Sequence, residues 1–227
     1  MDAVDTTKRA ILLFFLGLPM VMIGLVFFLS ISLLNTGLII LSLGQVILVP
    51  VVTLVLHIVT QFFPGSKVPN SDVGMLVPSM EYLHESKYVN VLPSYWGAHV
   101  VFFCSYVFSN ALSTYKADSV TASTNAYDWK VHNRMARSTM IMGISVITLL
   151  VLLFLRKMLT HSETFPGILL ALVVFGPLAY FWYQLAVKNG ARNSDILGIV
   201  QQMVRVQSDK DAAMCVPTKA ATASTST

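Results

Sequence analysis

His57 and His99 are the two residues whose type and placing most invite chemistry. His57 falls a few residues before the end of one long apolar run and His99 a few residues into the next. The two imidazoles are therefore expected at similar depth on one side of a bilayer, where such pairs can ligate a haem b iron or another metal. The plainer alternative is two interfacial imidazoles bonded to neighbours or water. Haem b proteins of this kind usually carry more than one pair, and His84, His132 and His161 all fall in polar connections. The plainer reading stands, and no cofactor or metal is expected.

Gln45, His57, His99 and Asn110 are polar groups within apolar runs, and a transporter or channel would use them to line a water-accessible path. Against that reading, the apolar runs hold no Asp, Glu, Lys or Arg in their interiors, and no internal repeat of the kind transporters carry is present. Transport is therefore the second reading. The polar connections contain Asp72, Glu81, His84, Glu85, Asp118, Asp128, His132 and Glu163, none in a catalytic or metal-ligating spacing, so the chain is not expected to be an enzyme. Cys104 lies in an apolar run and Cys215 far away in the tail, which argues against a disulfide framework.

The elements that must position these residues are membrane helices. Of 227 residues, 55% are apolar and only 11% charged, with a mean hydropathy of +0.70, whereas a soluble domain is about a quarter charged. The net charge of +4 comes from basic residues placed mostly beside apolar runs, which points to lipid headgroups and away from nucleic acid. From Ala10 to Phe63, two runs are separated only by Asn35-Thr36-Gly37, and each exceeds the roughly 20 residues that cross a hydrocarbon core of about 30 Å. They form a hairpin, with Asn and Gly expected to supply the left-handed turn. Gly17 and Gly24 in one run, and Gly37 and Gly44 in the other, leave strips where the two backbones should approach. The N-terminal run is far longer than a signal-peptide core and is expected to remain as a span.

The fold class that follows is all-α: an integral membrane bundle of five transmembrane helices with spans at about 10–34, 38–63, 94–115, 138–155 and 165–187. Residues 188–227 would add an amphipathic helix and a low-complexity tail. Pro19, Pro50 and Gly176-Pro177 predict kinks, the last the sharpest. Ser105, Ser109 and Ser113, with Gly97 earlier in the same register, predict a helix contact. A short helix is expected at about 79–87. The fourth helix should begin in water near Asn125, so that Trp129, Lys130, Arg134 and Arg137 meet the headgroup layer. Beyond Ser194, the apolar stripe Ile196, Ile199, Val200 and Met203 would either lie on lipid or dock on a partner. Five spans put the termini on opposite sides; six basic residues flank spans on the N-terminal side and seven on the other, which tips only slightly toward a cytoplasmic C-terminus.

Leu92-Pro93-Ser94-Tyr95-Trp96-Gly97-Ala98-His99-Val100-Val101-Phe102-Phe103, then Asn110-Ala111, then Asn133-Arg134 leading into an apolar span, resembles multi-span membrane proteins encoded by large double-stranded DNA viruses with an internal lipid membrane. The likeness covers roughly Leu92 to Lys157, less than a third of the chain. It implies a structural role in the virion membrane beneath an icosahedral shell, or in a host endomembrane during assembly, with minor capsid or other membrane proteins as partners and homo-oligomerisation open. It carries over no functional residue.

Overall fold

In the computed structural model the structure describes residues 3–60, 62, 67–69, 88–90, 92–116, 125–159 and 164–189. The elements are α1 (Ala3–Leu33), α2 (Thr36–Leu43), a π turn (Gly44–Leu48), α3 (Val49–Thr60), β1 (Lys67–Pro69), β2 (Tyr88–Asn90), α4 (Tyr95–Lys116), α5 (Asn125–Leu159) and α6 (Phe165–Lys188). The architecture is helical, apart from the antiparallel pair β1–β2, in which Val68 faces Val89. By internal contacts the chain divides into Met1–Ile196, which contains all these elements, and Leu197–Thr227, outside the described residues.

The bundle is built around α4. From Trp96 to Phe102, seven consecutive residues are buried, so this half of the helix is enclosed on every side. Its chief neighbours are α6 and α5, with α3 and α1 beyond them. The α6 seam is Gly167, Ala171, Phe175, Ala179, Tyr183 and Ala186, in which small residues alternate with aromatic ones at nearly every fourth position. Small residues let two backbones approach, which is how membrane helices gain dispersion contact when lipid removes the hydrophobic drive. Gly97 meets Ala171, and Ser105 lies against Gly176, so the small-residue face expected on α4 is a helix contact, with α6. On α5 a single stripe is buried, Ser138, Ser145, Leu153 and Arg156.

The outward faces have the opposite character. Phe28 on α1 is 69% exposed and Phe181 on α6 67%, with Leu25, Val51, Ile58, Ile147, Phe154 and Val173 exposed as well. Polar groups such as Gln45, Thr53, His99 and Asn110 are buried instead. An aqueous solvent would reverse that arrangement.

Several expectations change. Among the described residues, three helices are long and apolar enough to cross a membrane: Thr36–Thr60, Met135–Met158 and Phe165–Lys188. Gly17–Leu33 is a shorter apolar helix among the described residues, and α4, which carries Tyr95, His99, Tyr106, Ser109 and Asn110, is not among the three. The hairpin link is Leu34-Asn35, and Thr36-Gly37 already belong to the next helix. Leu34, rather than Asn or Gly, takes the left-handed conformation, with φ 47°. Leu34 N–H donates to Ile31 O and Asn35 N–H to Ser30 O, each at 3.3 Å, the paired bonds of a Schellman helix end. Asn35 then caps the following helix by accepting from Leu38 N–H at 3.1 Å.

The glycine strips also divide. Gly17 and Gly24 face open space, whereas Gly44 is packed against Phe102 and Trp182, so the close approach is to α4 and α6 and not within the hairpin. Both α1 and α6 remain helical through Pro19 and Pro177. The departure from α hydrogen bonding among the described helices lies just before Pro50, where Val49 N–H reaches back to Gly44 O. Proline there has no N–H for Val46 O and its ring crowds that carbonyl, so the ladder widens by one residue upstream. The helix expected at 79–87 and the stripe Ile196, Ile199, Val200 and Met203 lie outside the described residues. The start of α5 at Asn125 coincides with the expected one.

Candidate functional site

One face of the α2–π–α3 segment meets α4, and it is unusually polar for a membrane helix. Ser42, Gln45, Thr53, His57 and Thr60 are all buried along it. Thr53 bonds back to Val49 O at 2.7 Å, which meets its own hydroxyl within the helix. Gln45, His57 and Thr60 are held by α4 and the segment leading into it, while the Ser42 hydroxyl has no hydrogen-bond partner among the described residues.

Gln45 and His99 make a reciprocal pair. The Gln45 amide nitrogen donates to His99 O at 3.1 Å, so its oxygen is the acceptor for the ring nitrogen His99 Nδ1 at 2.6 Å. Nδ1 must carry the proton, and the neutral imidazole is fixed in one tautomer. Its Nε2 is then a lone pair in a side chain only 1% exposed, without a hydrogen-bond partner among the described residues. The Tyr95 ring stands edge-on to the imidazole at 4.6 Å, one turn earlier on α4. The π turn helps bring Gln45 to this position, because one extra residue in the turn rotates everything upstream by about a quarter of a turn relative to an unbroken helix. Gly44 makes the approach sterically feasible: a Cβ there would lie 2.7 Å from both Phe102 Cζ and Trp182 Nε1.

Towards the start of α4, His57 Nε2 donates to Pro93 O at 3.1 Å. The Thr60 hydroxyl lies 2.8 Å from Leu56 O and also bonds Leu92 O. Ser94 caps α4 by accepting from Gly97 N–H at 2.9 Å, while its own N–H donates to Gly167 O at 3.2 Å. The Trp96 indole donates to Phe15 O at 2.7 Å, and the buried Arg156 guanidinium lies over the same ring at 5.3 Å. At the opposite end, Tyr106 donates to Gly37 O at 3.1 Å and Trp182 to Ile40 O at 2.8 Å. Trp96, Tyr106 and Trp182 thus tie α1 and the second helix to α4 and α6 through main-chain oxygens, and His57 and Thr60 tie the second helix to the segment leading into α4.

Of the residues singled out in the sequence, the structure brings Gln45 and His99 together and bonds His57 elsewhere, to Pro93. Asn110 is buried farther along α4. Among the described residues no group of three His, Cys, Asp or Glu side chains could hold a metal ion. Arg137 is exposed on α5; the side chains of Trp129, Lys130 and Arg134 lie outside the described residues. The sequence reading missed the partnership of Gln45 with His99. Its signal was a lone amide beside a glycine, one turn ahead of Pro50, in an otherwise apolar run.

The seam offers fixed donors and the buried lone pair of His99 Nε2. Comparison with protein-family models, curated proteins and solved structures returns no match.

Proposed function

We propose that the chain is a five-span structural membrane protein, set in the internal membrane of a virion and linking the bilayer to an overlying protein shell through its polar ends and C-terminal arm. The observation that carries the membrane part is the inverted surface, with apolar side chains outward on α1, α3, α5 and α6 and polar ones turned onto α4. Depth supports counting α1 and α4 with the three long apolar helices. Exposed Arg137 and buried Arg156 are 19 residues apart on α5, and Trp96 and Lys116 are 20 apart on α4. At 1.5 Å per residue each interval is about 30 Å, the thickness of a hydrocarbon core. The ties from Trp96 to Phe15 and from Tyr106 to Gly37 hold the α1–α2 hairpin at that same depth. The virion setting rests on the resemblance of Leu92 to Lys157.

The test has two arms. Protease or tag accessibility in sealed vesicles should place residue 1 and residue 227 on opposite sides; a shared side removes the five-span count. Deleting residues 194–227 should leave the chain in membranes while abolishing co-purification with shell proteins, and undisturbed assembly would sink the linking role.

The second reading, a small channel or transporter, is favoured by one observation: Ser42, Gln45, Thr53, His57 and Thr60 form a buried polar line along the α3–α4 seam. It predicts that cysteines at positions 42, 45 and 53 react with a membrane-impermeant thiol reagent. Protection at all three would exclude it.

A further inference from the structure

Beside the seam, α4 and α5 enclose a cleft of about 200 Å³ lined by Cys104, Ser105, Phe108, Ser145, Val146 and Leu149, and open on its outer side. Its lining is apolar in effect. The Ser145 hydroxyl is already committed to Ile141 O at 2.8 Å, and Cys104 is a buried thiol. A groove of this kind needs an apolar occupant. A second helix is about 10 Å across and would need a far wider trough, whereas a single hydrocarbon chain is narrow enough.

Charge at the end of the cleft narrows the choice. Lys116 is the last residue of α4 and is exposed. It follows Ser105 by 11 residues, three turns and a small remainder, so the two share a helix face about 16 Å apart. Neither α4 nor residues 135–158 of α5 contain an acidic residue; Asp118 and Asp128, the nearest in sequence, have side chains outside the described residues. We propose that the α4–α5 cleft holds one acyl chain of an anionic phospholipid whose headgroup phosphate pairs with Lys116. The distance suits this occupant, since a phosphate at the level of Lys116 places the middle of its chain at the depth of Ser105 and Ser145. The site would be a fixed lipid contact on a face of the bundle that the other helices leave uncovered.

The inference rests on α4 and α5 being membrane spans, and the experiment separates the two. The full chain is reconstituted in phosphatidylcholine vesicles with or without phosphatidylglycerol, each lipid in turn carrying a mid-chain nitroxide, and the immobilised fraction is read by electron spin resonance. Val146 is 43% exposed and lines the cleft, so Val146→Trp fills it from the open side with little demand on the core. The expected result is a fall in the immobilised fraction of both lipids in that variant, by the share that one site contributes to the boundary lipid. Lys116→Gln should keep the immobilised fraction but lower the preference for phosphatidylglycerol about fivefold, the equivalent of about 1 kcal/mol for one basic residue at an anionic surface. Unchanged immobilisation in Val146→Trp, or unchanged preference in Lys116→Gln, overturns the proposal. So does a cleft occupied by a second copy, seen as a dimer that Val146→Trp dissociates. Release of the wild-type chain from vesicles by alkaline carbonate would instead count against the spans themselves.

Discussion

Replacing Gln45 with Leu tests whether the reciprocal bonds with His99 hold the bundle together. The substitution leaves an apolar side chain one atom shorter and removes both the donor to His99 O and the acceptor for His99 Nδ1–H. His99 O keeps its place in the α4 ladder, so the damage falls on Nδ1–H, left buried in a side chain 1% exposed. A hydrogen bond between membrane helices contributes about 0.6 kcal/mol on average and up to about 1.7. An orphaned buried donor adds a penalty of about 1 to 3 kcal/mol. Together they set the expected loss for Gln45→Leu at about 2 to 3 kcal/mol.

The partner substitution gives the prediction its edge. His99→Leu removes only the Nδ1 bond, because the Gln45 amide can still donate to the main-chain His99 O; it strands Gln45 Oε1 and should destabilise by about 1 to 3 kcal/mol. The double variant strands nothing, and its loss should be well below the sum, a coupling of about 1 to 2 kcal/mol. The assay is reversible unfolding in mixed micelles, followed by steric trapping of the unfolded chain. As a control, Ser42 is buried on the same face and its hydroxyl has no hydrogen-bond partner among the described residues, so Ser42→Ala should be neutral or slightly stabilising. Additive losses in the double variant would refute the account of the seam, whatever the size of the single effects.

The glycines of the hairpin should respond in opposite directions. Gly44→Ala forces a Cβ to 2.7 Å from Phe102 and Trp182 and should lose about 1 to 3 kcal/mol, while Gly24→Ala, with nothing within 4 Å, should gain about 0.5 to 1 kcal/mol from helix propensity; the same unfolding assay reads both. Leu34→Gly should stabilise by about 0.5 to 1 kcal/mol, because a left-handed leucine costs about 1 to 2 kcal/mol and the added freedom of glycine in the unfolded chain offsets part of it. A destabilised Leu34→Gly would mean that the side chain, 82% exposed here, is held by something else in the membrane.

Much of the helical content was legible because lipid leaves the chain few options. A run without charges and about as long as a hydrocarbon core is thick, or longer, has to satisfy its backbone internally, so the helices of the hairpin, α5 and α6 follow from length and composition alone. The start of α5 could be read from Asn125, whereas the cap of α6, Thr164 accepting from Gly167 N–H at 3.2 Å, is seen in the structure. What failed to follow was partner choice. Two glycines seven apart on α1 look the same in sequence as two on the second helix, yet Gly17 and Gly24 are open whereas Gly37 is buried and Gly44 packed. Spacing along a helix defines a face, but which neighbour covers that face depends on contacts remote in sequence. The turn misled for a related reason. Asn35 is the better left-handed residue, but it is worth more as a cap, so the strained position falls to Leu34.

The same logic explains why α4, which is not among the three long apolar helices, is the best buried. A span rich in Ser, Tyr, His and Asn is costly against lipid, where an unmet polar group has no water to turn to. Surrounded by α3, α5 and α6, its groups reach main-chain oxygens and each other: Tyr106 bonds Gly37, Ser109 bonds Ser105 and His99 bonds Gln45. The outer helices can then be almost purely apolar. Moving one polar group from α4 to an outward position, such as Ile147→Asn on α5, should therefore destabilise the bundle in bilayers but not in detergent solutions that admit water at the surface. Equal stability in the two media would mean that this face of α5 does not meet hydrocarbon.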